Sequence, residues 1–150
     1  MYEELKLKNQ LCYPIYLCSK EIIRKYSKYL DTIDLTYTQY VVMMYFWEVN
    51  KSNVKDLANT ILIDSSTLTP LLKKLEQKGF IERNKDTVDE RNLVLKLTKK
   101  GEKLKDKAKA IPKEMGKCLN LTDEESKTLY TILYKVLHNI EEEIKNDKRN

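Results

Sequence analysis

Apolar residues recur at helical spacing along most of the chain and alternate in only one short stretch. Leu11, Ile15, Ile22, Tyr26, Tyr29 and Leu30 mark one side of an amphipathic helix from Leu5 to about Asp31, which Pro14 disturbs or divides near its start. Thr36 or Thr38 then caps a second helix through Tyr37, Tyr40, Val41, Met44, Tyr45 and Trp47, apolar enough to stand at the centre of a core. Asn50 to Asn53 breaks it. Val54 to Ile61 makes a short helix with Leu57, Ala58 and Ile61 inward, and Leu62-Ile63-Asp64 is a tight connection to the next element.

That next element runs from Asp64 to Gly79. Leu68, Leu71, Leu72 and Leu75 form a stripe that can dock on a core, leaving Ser65, Ser66, Thr67, Thr69, Lys73 and Gln77 accessible. Asp64 suits the N-cap and Gly79 the C-terminal stop. Pro70 lies too deep for a first-turn proline, so either the helix starts nearer Thr67 or its first turn is distorted. Two short helices joined by a brief turn form a helix-turn-helix unit.

Beyond Gly79 the period changes. Phe80 to Lys85 and Asn92 to Leu97 read as strands around a charged hairpin tip, Asp86 to Arg91, which makes a β-wing. Thr98 opens a lysine-rich helix to about Lys117, kinked at Ile111-Pro112. Thr122 and Glu125 form a capping box ahead of a long stripe of Leu129, Ile132, Leu133, Val136, Leu137, Ile140 and Ile144. The expected architecture is mainly α with a small β-wing: one domain with a winged helix-turn-helix over about 37–98, flanked by dimerisation helices over about 5–31 and 99–147. The winged unit can close its own core, but the flanking helices keep apolar faces that need covering. Burial at ~25 cal/mol per Å2 across a large interface outweighs the modest repulsion between like-charged subunits, so a two-fold homodimer is expected.

Composition narrows the class. With 41% hydrophobic and 34% charged residues the chain reads as a globular domain. It has neither a membrane-length apolar run nor a signal-peptide pattern, so a cytoplasmic protein without a membrane partner is expected. Cys12, Cys18 and Cys118 are odd in number and lack metal-ligand spacing, which points to reduced thiols and to neither metal nor cofactor. The single histidine, His138, is incidental. The net charge of +5 is unevenly spread: residues 71–105 hold eleven Lys or Arg against six Asp or Glu, and residues 122–147 hold three against seven. A basic zone confined to one part of a fold is the footprint of a nucleic-acid binder, although lysine-rich faces are more commonly plain solvated surface.

Two runs carry a resemblance, Leu68 to Arg83 (LTPLLKKLEQKGFIER) and Asp89 to Gly101 (DERNLVLKLTKKG). They resemble the multiple-antibiotic-resistance regulator (MarR) family of winged-helix repressors, and the likeness extends over nearly the whole chain. A narrower likeness lies in Asn9 to Tyr13 (NQLCY), Leu35 to Tyr40 (LTYTQY) and Asp64 to Pro70 (DSSTLTP), which look like the organic-hydroperoxide-resistance (OhrR-like) regulators and their staphylococcal thiol-sensing relatives. That resemblance implies a peroxide-sensing cysteine at Cys12, with Tyr26 and Tyr37 hydrogen-bonding its thiolate. In two-cysteine relatives the sensor pairs with a C-terminal cysteine of the other subunit, and Cys118 stands in that region. The extra thiols Cys18 and Cys118 leave one-cysteine and two-cysteine mechanisms both open.

The chemistry follows in two parts. Ser65, Ser66, Thr67 and Thr69 can reach base edges in a DNA major groove, Lys73 and Lys74 can bind phosphate, and Arg91 at the wing tip, oriented by Asp89, can enter a narrow minor groove. The partner is double-stranded DNA carrying a pseudo-palindromic operator. A thiol near pKa ~8.5 is mostly protonated at neutral pH, so a reactive Cys12 needs its thiolate stabilised; tyrosine hydroxyls can do this. Cys12 shares a helix face with Tyr16 and, within about 40°, with Tyr26. Oxidation by a peroxide gives a sulfenic acid, then a disulfide with a small thiol or another cysteine. The reading is therefore a DNA-binding regulator, a repressor released by oxidation of Cys12, and not an enzyme. Three alternatives stand beside it: release by a small aromatic ligand between winged unit and dimer domain, a cysteine-based thiol peroxidase, and a helical adaptor.

Overall fold

The computed structural model describes residues 2–85 and 93–147, in two compact units, 1–111 and 112–150. In the first, two single 3-10 turns (Glu3–Leu5 and Leu7–Asn9) precede helix α1, Cys12–Leu30. The expected start at Leu5 is thus too early. Pro14 is the third residue of α1, where a missing N–H removes no intrahelical bond, so it neither kinks nor divides the helix. Among the residues of α1 only Leu30 is buried; Tyr13, Ile15, Tyr16, Leu17 and Ile23 are exposed.

Helix α2, Tyr37–Val49, opens with a full capping box in which Thr36 and Gln39 satisfy each other's backbone amides. It is the core helix. Tyr40, Val42, Met43 and Phe46 are 2% exposed or less, whereas Met44, expected among the apolar core positions, is exposed. Lys51–Asn53, expected as a mere break, is strand β1 and pairs with Val94 to Lys96. Its run of Lys, Ser and Asn has no strand signature; the backbone of a neighbouring strand recruits it.

Asn53 caps α3, Val54–Ile61, and Leu62 ends it in the left-handed conformation (φ 54°), uncommon for a bulky residue and here the turn of the helix-turn-helix. Helix α4, Ser65–Gln77, follows with Leu68, Leu72 and Leu75 buried. It ends where Gly79, at φ +74°, donates to the Glu76 carbonyl and Phe80 to that of Leu75, a Schellman stop that glycine adopts without strain. Strands β2 (Ile81–Lys85) and β3 (Leu93–Leu97) pair antiparallel with Arg83 opposite Leu95, in a sheet ordered β1-β3-β2. Thr98 ties the strand ends together by donating to the carbonyls of Gly79 and Phe80, and it caps α5, Lys99–Ala108.

The expected kinked helix over 99–117 is two helices, because Lys109 and Ala110 form a turn before α6, Ile111–Leu119, and Pro112 falls in the first turn of the new helix. In the second unit α7, Asp123–Asp147, follows the Thr122 and Glu125 capping box. Helix α7 has no buried residue: Leu129, Ile132, Val136, Leu137, Ile140 and Ile144 are all exposed in the single chain. No described helix is long and apolar enough to cross a membrane.

Candidate nucleic-acid interface and thiol site

Helix α4 presents the face that its spacing requires. Ser65, Ser66, Thr67, Thr69, Lys73 and Lys74 are all exposed, opposite the buried leucines. Pro70 lies inside the helix, yet the start does not slide: α4 begins at Ser65, and Asp64 caps it by accepting from the Thr67 amide at 2.9 Å. Pro70 has no N–H to close on the Ser66 carbonyl, while Thr69 Oγ1 donates to the Ser65 carbonyl at 2.8 Å. Pro70 is carried within a continuous helix that is capped at both ends.

The same bonds orient the hydroxyls. Ser66 Oγ and Thr67 Oγ1 donate to the two Asp64 carboxylate oxygens, and Thr69 donates to its own helix. With these protons committed to Asp64 and to the Ser65 carbonyl, the exposed hydroxyls of Ser66, Thr67 and Thr69 retain acceptor capacity. Lys73 and Lys74 follow one turn on, and Arg83 on β2 binds Glu76 at the far end of α4. Asp89 and Arg91 lie outside the described residues.

The serine and threonine bonds hold the Asp64 carboxyl at about 2, below its ordinary 3.8. A carboxyl depressed in the folded state adds stability above its unfolded pKa and loses that contribution as pH falls through the folded value. The cap should therefore stay ionised at every pH above about 4 and fail between there and about 2. In thermal melts from pH 7 downward, Asp64→Asn should flatten the fall in melting temperature in that acid window and leave its slope unchanged above it.

The sulfur site is more widely spread. Cys12, Cys18 and Cys118 are exposed and outside any disulfide. Tyr26 and Tyr37 come together, with ring centroids 4.9 Å apart, and Tyr40 joins Tyr26 at 6.0 Å. Burial, reinforced by Tyr37 at Tyr26 and by Tyr26 and then Tyr37 at Tyr40, pushes both hydroxyls above their ordinary pKa, so both are protonated donors at neutral pH. Tyr40 reads as core in the sequence, and its part in this trio escapes notice there; the three-residue spacing from Tyr37 was the available signal. Cys12 does not join them within one chain. It stands fourteen residues before Tyr26 on the continuous helix α1, an axial separation of about 21 Å. Facing the same way does not bring them together.

Among the described residues no cluster of His, Cys, Asp and Glu has the form of a metal site. The profile of the SarA/Rot transcriptional regulator family matches residues 24–108, more than half of the chain. The chain is 43% identical to the transcriptional regulator SarZ of Staphylococcus haemolyticus, over 89% of this chain and 90% of that protein. It is 37% identical to the organic hydroperoxide resistance transcriptional regulator of Bacillus subtilis, over 93% and 95%. Among solved structures, AbfR of Staphylococcus epidermidis superposes with a TM-score of 0.76 at 32% identity, over 93% of this chain and 97% of that one. AbfR is also known bound to DNA in reduced and overoxidized forms, and in a disulfide form.

Proposed function

The chain belongs to the SarZ and MarR family of transcriptional regulators, and from that premise we propose that it is a cytoplasmic homodimeric repressor that leaves its operator when Cys12 enters a disulfide. Its role is regulatory, not catalytic. The observation that carries the DNA-binding half is the exposed hydroxyl and lysine face of α4, held rigid by Asp64 at one end and the Gly79 stop at the other. In this reading α4 enters the major groove, its hydroxyl oxygens meet base edges, and Lys73 and Lys74 meet phosphates. Two copies of α4 must stand about 34 Å apart to reach successive grooves on one face of the duplex. The exposed apolar faces of α1 and α7 supply the surface on which two chains associate.

The redox half rests on the separation of Cys12 from the tyrosines. With about 21 Å between them in one chain, Tyr26 and Tyr37 can donate to the Cys12 thiolate only across a dimer. The stabilised thiolate attacks the outer oxygen of a hydroperoxide, whose O–O bond breaks: sulfur becomes a sulfenic acid, and the alkoxide leaves and takes up a proton as the alcohol. A second thiolate, from a small thiol or from Cys118 of the partner subunit, then attacks that sulfur, forming the disulfide and expelling hydroxide, which is protonated to water. Overoxidized AbfR still binds DNA. By that precedent the disulfide, and not further oxidation of sulfur, is the modification that displaces α1 and alters the spacing of the two α4 helices.

A shift assay on the DNA upstream of its own gene tests this. Reduced protein should retain the DNA; stoichiometric cumene hydroperoxide with a small thiol should weaken binding at least about tenfold, and dithiothreitol should restore it. Binding unchanged by the oxidant contradicts the redox half, and a failure of reduced protein to prefer operator over random DNA contradicts the other.

A further inference from the structure

Glu76 stands on the last turn of α4 and Arg83 in the middle of β2, with only the turn at Lys78, Gly79 and Phe80 reversing the chain between the two elements. Arg83 Nε donates to Glu76 Oε2 at 2.7 Å, and the guanidinium Nη2 reaches the same oxygen at 2.5 Å. Alternation along β2 puts Arg83 on the same face as Ile81, which is 1% exposed, so the guanidinium lies along the inner side of the hairpin. Both side chains are about two-thirds covered, at 34% exposure for Glu76 and 27% for Arg83. Hydrogen bonding to Arg83 holds the Glu76 carboxyl below its ordinary value, with Lys73 adding to the effect one turn earlier.

Most other described ion pairs join residues three apart in sequence or lie across neighbouring strands at the surface. The pair of Glu76 and Arg83 instead couples the reading helix to the strand that carries the hairpin. On the strand side, Arg83 is paired in register with the fully buried Leu95, so it moves only with the sheet. On the helix side, Glu76 shares its face with Lys73. We propose that Glu76 is a positioning residue for DNA recognition: through Arg83 it sets the angle between α4 and the β2–β3 hairpin, so that both meet the duplex in one rigid arrangement. Glu76 itself, an anion, touches no phosphate; its effect passes through Arg83.

A pair that only positions and a cation that binds phosphate directly behave differently when mutated together. The test measures operator affinity at several salt concentrations for the full-length reduced dimer and for Glu76→Gln, Arg83→Gln and the double variant, with a thermal melt on each. Each single variant should bind about tenfold more weakly, the effect of losing one charge-assisted contact. The double should be no worse than either, because the second change removes a partner already lost. The slope of log affinity against log salt should stay that of the parent, since no phosphate contact is removed. The exchanged pair, Glu76→Arg with Arg83→Glu, should recover most of the affinity.

Additive losses in the double variant, with the salt slope falling by about one when Arg83 is replaced, make Arg83 a phosphate contact and overturn the proposal. So does a Glu76→Gln protein that binds like the parent. A lower melting temperature with unchanged affinity in the folded fraction makes the pair structural only and overturns it equally.

Discussion

Gly101→Ala should yield a protein that is largely unfolded or that melts about 10 °C or more below the parent, a loss of roughly 3 kcal/mol or more. A Cβ at this position would lie 2.1 Å from the carbonyl oxygen of Phe80, 2.8 Å from Leu97 Cδ1 and 3.0 Å from the Phe80 carbonyl carbon. Two of these three atoms are backbone and have no rotamer to escape into. The Phe80 carbonyl is also held in place, accepting from the Thr98 amide at 3.1 Å and the Thr98 hydroxyl at 3.1 Å. On the other side the Gly101 carbonyl accepts from Trp47 Nε1 at 2.9 Å, so pushing α5 away breaks a bond to the core helix. Trp47 is the only tryptophan, and its fluorescence reports the transition directly. Gly116, whose added Cβ meets nothing within 4 Å, supplies the control: Gly116→Ala should not lower the melting temperature. A Gly101→Ala melt superimposable on the parent's would contradict this account of the joint between wing and α5.

That joint shows where the sequence was readable and where it was not. Helices whose ends carry side-chain caps were legible nearly to the residue: Asp64 and Gly79 bound α4, and Val54 to Ile61 is α3 as its spacing required. Failures arose where tertiary contact decides. Lys51–Asn53 has no β-branched or aromatic residue and becomes a strand only because β3 presents a free edge. Gly101 closes a run that carries the family resemblance, but helical spacing gives no reason for a glycine there; its necessity comes from Phe80, which is distant in sequence. The start of α1 was read too early because two isolated 3-10 turns continue the apolar spacing without forming a helix. In the site, helical spacing placed the exposed face of α4 correctly, but it speaks of angle and not of distance. It therefore put Cys12 and Tyr26 on one side of α1 without registering the length of helix between them.

That length leads to the other large effect. Cys12→Ser should bind operator as tightly as the parent when reduced and should keep binding after hydroperoxide and thiol, losing the response altogether. Tyr26→Phe with Tyr37→Phe should keep Cys12 yet react slowly, because the thiolate loses its donors and falls back toward an ordinary thiol. The informative species is the mixed dimer of these two variants, purified with two different affinity tags. If the site is built across the subunits, the single remaining Cys12 faces the intact tyrosines of the Cys12→Ser partner, and it should react with hydroperoxide at the parent's rate per thiol. If the site lay within one chain, that Cys12 would face only phenylalanines and react as slowly as in the Tyr26→Phe, Tyr37→Phe homodimer. Stopped-flow measurement of sulfenic acid formation separates the two outcomes. The separation of about 21 Å along α1 requires the first; a slow mixed dimer would contradict the cross-subunit site, and a Tyr26→Phe, Tyr37→Phe homodimer as fast as the parent would remove the tyrosines from the sensing chemistry.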